Sequence, residues 1–263
     1  MSETRPVGLS VMDFTKAEDF GEGMVLLVNK PLHWTSFDVV NKLRGAIRGA
    51  LGYRKIKVGH AGTLDPLASG VLVVCTGKAT KRIAELQSQD KEYKATIRLG
   101  AFTPCLDAEL PVEQWADAHH LTLEMVQETA DAWSGDFAQM PPVYSAKKVG
   151  GQKAYAVIRK GGEINLKPAP ICVRAFKVHE ILHHEVDGHP VCDATVTIAC
   201  SKGTYIRALA RDIGETLEVG GHLIALERTI NGAFPLSECS SMETLLEQIH
   251  AIHPLSTELP IDL

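Results

Sequence analysis

The chain is 263 residues long, 45% hydrophobic, 22% charged and 6% aromatic, with a formal net charge of −5 at pH 7. That balance excludes a disordered or collagen-like chain, and no apolar run approaches the roughly 20 residues that a spanning helix needs. The opening MSETRPVGLSVMDF lacks the charged-then-apolar layout of a signal peptide, so the sequence reads as cytoplasmic, and its length suits one large domain or two small ones.

Taken in chain order, Met24 to Asn29 is a short apolar run closed by Lys30-Pro31, which predicts a buried strand. Thr35 can cap a helix with Asp38 as its capping-box partner, and Phe37, Val40, Leu43 and Ile47 share one face of it. A glycine-rich turn, Gly59 to Pro66, precedes a strand at Val71 to Cys75 and a short basic helix from about Lys78. Glu92 to Leu99 alternates as a half-buried strand, and Leu121 to Trp133 has helical spacing. Ser134 to Gly162, rich in Gly, Pro and Lys, reads as an exposed loop bearing a short helix. Two β-rich stretches, Ile171 to His179 and Val191 to Cys200, flank a turn at Asp187-Gly188. Thr204 to Leu217 repeats apolar residues at helical spacing and stops at Gly220-Gly221; His222 to Thr229 is a strand and Met242 to Ala251 a last helix. With no regular βαβ rhythm, the order predicts an α+β protein: a mixed, largely antiparallel central sheet flanked by helices.

Six cysteines form no C-x-x-C pair, and the eleven histidines show no H-E-x-x-H, so a structural zinc site is not expected and the cysteines read as small buried apolar residues. The charge is unevenly distributed. Between Asp38 and Glu85 nine Lys/Arg accompany one acid, Asp65, and from Ala138 to Gly162 five cations accompany none. These windows carry +8 and +5, which leaves −18 on the rest of the chain. A basic face on an acidic body attracts a polyanion despite the negative total.

The proline after Asp65 biases that residue toward extended backbone in a loop, and surrounding cations keep its carboxylate ionised, as a nucleophile or base requires. Taken alone, an Asp-Pro turn residue is the commoner explanation. A glycosidase would need a second carboxylate, whereas only one lies in the window.

The stretch Gly59-His60-Ala61-Gly62-Thr63-Leu64-Asp65-Pro66-Leu67-Ala68-Ser69-Gly70 closely resembles the catalytic motif of TruB-type tRNA pseudouridine synthases. LLVNKP at 26–31, KEYKATIRLG at 91–100, MPPVYSAKK at 140–148 and CSKGTYIRALARDIG at 200–214 resemble that family in the same order, over roughly residues 24–234. The resemblance implies an enzyme that isomerises uridine 55 in the T-loop of tRNA to pseudouridine on a flipped-out base, with no metal and no cofactor. It implies Asp65 as the catalytic carboxylate, Tyr93 stacked on the target base, and Arg207 paired with the catalytic aspartate. Tyr205 and Leu226 match positions lining the base pocket; His60 and Lys81 match RNA-contacting positions. Asp107 falls where the family has an aspartate meeting displaced loop bases, although Thr103-Pro104-Cys105-Leu106-Asp107 departs from the usual T-x-T-x-D pattern. Residues 136–162 correspond to a thumb-like insertion that would bring Lys147, Lys148 and Lys153 to the RNA. Many relatives carry a C-terminal PUA-like domain, and this chain ends at Leu263, which suggests one catalytic domain over 1–263 and no obligatory protein partner. The main alternative is a non-catalytic tRNA-binding or folding module, against which Asp65, Tyr93 and Arg207 together argue, because phosphate binding needs no carboxylate there.

Overall fold

The computed structural model describes residues 5–144, 148–149, 152–153, 162 and 165–254. The chain forms two compact units, Met1–Lys91 with Glu227–Leu263, and Glu92–Leu226.

The first unit opens with β1 (Ser10–Val11), α1 (Glu18–Gly23), β2 (Met24–Lys30), α2 (Ser36–Leu51), β3 (Val58–His60) and β4 (Ala68–Thr76), then a 3-10 turn over Gly77–Arg82 and α3 (Ile83–Ser88). β2 pairs antiparallel with β4 from Val25↔Cys75 to Lys30↔Gly70, so the register sets Lys30 opposite the end of the Asp65 loop. Successive side chains of a strand point to opposite faces, and here both faces are covered. Leu26, Val28, Leu72 and Val74 meet Val39, Val40, Leu43, Ile47 and Leu51 of α2. Val25, Leu27, Val71, Val73 and Cys75 face a second cluster with Ala61, Leu86 and Phe234. Two-sided burial is why β2 and β4 read as continuous apolar runs, each buried aliphatic contributing about 1.5–3 kcal/mol.

Helix α2 starts as its sequence predicts. The Thr35 side chain accepts from the Asp38 backbone N–H, Asp38 reaches back to the Thr35 N–H, and Gly52 ends the helix at φ 79°. Its face differs from expectation at one residue: Phe37 is 59% exposed, and Val39 takes its place in the core. At 3.6 residues per turn Phe37 lies roughly 90° from the centre of the stripe through Val40, Leu43 and Ile47, at its edge, whereas Val39 lies closer to that centre.

The second unit contains β5 (Lys91–Leu99), β6 (Ala101–Phe102), β7 (Gln114–Trp115), α4 (Leu123–Ala132), β8 (Gly135–Gln139), the small antiparallel pair β9 (Lys148–Val149) and β10 (Gln152–Lys153), β11 (Ala169–Val186), β12 (His189–Cys200) and α5 (Ile206–Thr216). Its sheet runs β5-β12-β11-β8. β11 and β12 form one long hairpin turning at Asp187 (φ 52°) and Gly188 (φ 78°), and β11 runs seven residues beyond His179, where the sequence ends it, and starts two earlier than expected. Its outer part is half-exposed and rich in His and Glu, so it lacks the apolar alternation that marks a strand. At its register shift between Val178 and Glu180, Gln127 of α4 accepts from the Val178 N–H and donates to the Phe176 carbonyl.

β13 (Gly221–Asn231) returns the chain to the first unit at Glu227, pairs with β14 (Phe234–Pro235), and α6 (Met242–His250) adds Leu245 and Ile249 to the α2 core. β1 joins β2 in parallel, whereas β2–β4, β3–β4, β8–β11, β11–β12 and β13–β14 are antiparallel, the mixed character the sequence predicts. No helix among the described residues is long and apolar enough to cross a membrane.

Candidate active site

In the first unit, β3 hydrogen-bonds along β4 and leads into the Asp65 loop, where the Ala61 N–H donates to the Val73 carbonyl at 2.8 Å. The loop ends in a turn, the Ala68 N–H donating to the Asp65 carbonyl at 3.0 Å. At Gly70 (φ 98°) a Cβ would lie 2.3 Å from the Arg228 carbonyl, so only glycine fits there.

Buried polar side chains hold this loop. Arg228, 1% exposed, donates from Nε to the Val71 carbonyl at 2.7 Å and from Nη2 to the Gly62 carbonyl at 3.1 Å. The Asn231 amide donates to the Ala61 carbonyl at 3.3 Å. Ser36 Oγ donates to the Leu64 carbonyl at 3.0 Å and accepts from its N–H at 2.8 Å. Lys30, wholly buried, points Nζ at the carbonyls of Trp34 (2.7 Å), Pro31 (2.9 Å) and Pro66 (3.5 Å). Burial pulls its amine down to about 8, while the Asp65 carboxylate acts in the opposite direction. Asp65 itself is half-exposed at the surface of this clamp.

His60, in β3, is half-exposed, and its Nδ1 is buried without a hydrogen-bond partner. Burial and then the Arg228 charge lower its pKa, which keeps the imidazole neutral and flat near neutral pH. Lys81 is exposed on the 3-10 turn and borders a cavity of about 190 Å³, also lined by Lys55, Lys57, Lys78 and Tyr53.

In the second unit, Tyr93 is buried in β5. Arg207, in the first turn of α5 and 7% exposed, donates to the carbonyls of Cys105 (2.9 Å) and Tyr144 (3.1 Å), with the Asp107 carboxylate 3.2 Å from Nη1. Asp107 is itself buried, accepts from the Glu109 N–H at 2.9 Å and sits after Leu106 at φ 64°. The atypical Thr103–Asp107 segment thus puts a carboxylate directly on Arg207. Gln139, 2% exposed, donates to the Tyr205 carbonyl at 3.1 Å and accepts from its N–H at 2.9 Å, fixing the start of α5. Tyr205 and Leu226 are half-buried. Lys148 and Lys153 lie in register on β9 and β10, and Lys147 lies outside the described residues, as do 13 of the 27 residues of the segment expected to be the thumb.

The structure therefore groups His60 with the Asp65 loop and Asp107 with Arg207. It adds five positioning residues that sequence reasoning missed: Lys30, Ser36, Arg228, Asn231 and Gln139. Lys30 and Ser36 stood in plain view beside the quoted motif LLVNKP and the Thr35 cap, whereas Arg228 in a strand reads as an outward-facing side chain. Among the described residues no group of three or more His, Cys, Asp or Glu side chains could hold a metal. The six cysteines are free, and burial pushes the Cys75 thiol up to about 12.

A mixed sheet with flanking helices is the fold of a pseudouridine synthase, and the chain has 27% identity and a TM-score of 0.62 to the crystal structure of a Cbf5-Nop10-Gar1 complex, over 94% of this chain and 60% of that one. The model of the TruB family pseudouridylate synthase (N terminal domain) matches residues 48–206, and that of the tRNA pseudouridylate synthase B C-terminal domain matches residues 207–259. The chain belongs to the TruB family, whose members are isomerases. It is 49% identical over 229 residues to tRNA pseudouridine synthase B of Phocaeicola vulgatus, covering 87% of this chain and 94% of that one. It is 44% identical over 228 residues to the protein of the same name in Paenarthrobacter aurescens, covering 87% and 71%.

Proposed function

We propose that the protein isomerises uridine 55 in the T-loop of tRNA to pseudouridine, with Asp65 as the catalytic carboxylate and no metal or cofactor. The observation that carries this reading is the Asp65 loop, positioned by Lys30, Ser36, Arg228 and Asn231 through its backbone while the carboxylate stays half-exposed. Positioning of this kind lowers the entropic part of a barrier. The reaction breaks C1′–N1, leaving the electron pair on the uracil, turns the base, forms C1′–C5 and releases the C5 proton to solvent as N1 is reprotonated. Product and substrate are isomers, so no co-reactant is needed. Asp65 either bonds to C1′ or stabilises the cleaved sugar.

Tyr93 stacks on the reacting base, Arg207 supplies the site's cation, oriented by Asp107, and Tyr205 and Leu226 wall the base off from water, where charge interactions are stronger. His60 stacks against a displaced loop base, and Lys81, Lys147, Lys148 and Lys153 meet phosphates. The thumb and a single catalytic domain acting on the T-arm of tRNA belong to the same proposal, as does a cytoplasmic location.

The test incubates T-arm RNA containing C5-tritiated uridine with wild-type and Asp65→Asn protein. The wild type is expected to release tritium and the variant to fall by at least about a thousandfold with its RNA affinity retained. Absence of release by the wild type, with binding intact, would mark the chain as a non-catalytic tRNA-binding module.

A further inference from the structure

Residues 31–37 are fastened to the Asp65 turn. The His33 N–H donates to the Pro66 carbonyl at 2.8 Å, Lys30 Nζ bridges Pro31, Trp34 and Pro66, and Ser36 exchanges two hydrogen bonds with Leu64. Trp34 turns inward onto the α2 core. Leu32 and Phe37 turn outward, 51% and 59% exposed, and His33 is exposed between them. Only four large hydrophobic residues are this exposed among the described residues, Val7, Leu32, Phe37 and Leu182, so finding two within six positions beside the proposed catalytic loop is a concentration, not scatter.

His33 also sits at φ 66°, in the left-handed region that glycine would occupy without strain. Holding a histidine there disfavours folding slightly, and strained residues of this kind gather at ligand sites. Two aromatic rings and an aliphatic side chain on a rigid support suit the faces of unstacked nucleobases. Charge points to the same occupant: from Lys30 to Lys57 seven cations accompany one acid, Asp38, and its carboxylate is turned back onto Thr35.

We propose that Leu32, His33 and Phe37 form a stacking platform for the RNA loop bases that neighbour the target uridine. The proposal rests on the reading of the chain as a tRNA-modifying enzyme and adds a substrate-positioning surface to it. The platform holds the loop open by stacking on bases exposed when the uridine leaves its stack, so its contribution falls on RNA affinity.

The test uses the full chain with a T-arm stem-loop carrying 2-aminopurine beside the target uridine, read by fluorescence titration, together with tritium release. Phe37→Ala is expected to raise Kd and KM roughly tenfold, and Phe37→Trp to keep wild-type values. His33→Gly is expected to weaken binding several-fold while its thermal midpoint stays level or rises, because the strain is removed. Leu182→Ala, which removes an exposed leucine of the β11–β12 hairpin, serves as the control and leaves binding unchanged. Wild-type affinity in both Phe37→Ala and His33→Gly overturns the platform, as does a binding loss matched by unfolding. If the wild type binds but releases no tritium, the catalytic reading fails while the platform is still judged by the Kd series.

Discussion

The two units bury charge in opposite ways. In the first, Lys30 and Arg228 lie fully inside and donate to backbone carbonyls at Pro31, Trp34, Pro66, Gly62 and Val71. In the second, each buried or part-buried arginine meets a carboxylate: Arg207 with Asp107 at 3.2 Å, Arg98 with Asp193 at 2.7 Å, Arg211 with Asp212 at 2.6 Å. A carbonyl satisfies the hydrogen bonds of a cation without cancelling its charge, whereas an ion pair does both. The carbonyl clamps therefore fix the backbone of the Asp65 loop and at the same time leave positive potential around its carboxylate. The ion pairs of the second unit chiefly orient side chains, and Arg207 also donates to the backbone carbonyls of Cys105 and Tyr144.

Removing a carbonyl clamp should be the most damaging change. Arg228→Met takes the Arg228 donors from the Gly62 and Val71 carbonyls, at roughly 1–3 kcal/mol for each carbonyl left unsatisfied. Denaturant unfolding should show that loss, and tritium release should fall by more than tenfold because the loop is no longer held. A variant that keeps both stability and activity would mean the Asp65 loop is held by β3 and β4 alone.

The same contrast separates what the sequence made legible from what it hid. The Thr35–Asp38 capping box, β2 and α5 follow from local rules of capping and periodicity, and the structure has them where those rules put them, whereas the turn expected over Gly59–Pro66 occupies 61–67 because Gly59 and His60 pair with β4 and β4 begins at Ala68. Phe37 departs because i,i+3 spacing also admits a residue at the edge of a helical face, and in the first turn that edge is exposed. Arg228 and Gln139 were hidden for a different reason: their partners are backbone atoms 157 and 66 positions distant, and backbone carbonyls leave no mark in a sequence. By contrast, Arg207 and Asp107 each stand in a legible segment, although the sequence reading paired Arg207 with the catalytic aspartate and not with Asp107.

Lys30 sharpens the comparison through pH. Its folded value of about 8 lies below the ordinary 10.5, so the unfolded chain binds more protons between those values and the site's contribution to stability rises as pH climbs from 8 to 10.5. Below pH 8 the full cost of burying the ammonium is present. Measured against Lys30→Met, wild-type stability should therefore gain about 2 kcal/mol between pH 7.5 and pH 10. A difference that stays flat would show that the ammonium is not desolvated, and the carbonyl clamp would lose its distinction from a surface lysine.

Asp193 gives the opposite sign and the smallest effect. Burial acts to raise its carboxyl pKa, but hydrogen bonds from Arg98 and His184 outweigh it and hold the value below the ordinary range. A carboxylate lowered in the folded state stabilises above its unfolded pKa, and that stability is lost as pH falls through the folded value. Between pH 5 and pH 3 the wild type should lose more stability than Asp193→Asn, in which no carboxylate titrates at that position. Paired charge in the second unit would then weaken in acid, and the unpaired Lys30 clamp of the first would strengthen in base. Parallel pH profiles for Lys30→Met and Asp193→Asn would show that the two units do not differ in how they accommodate charge.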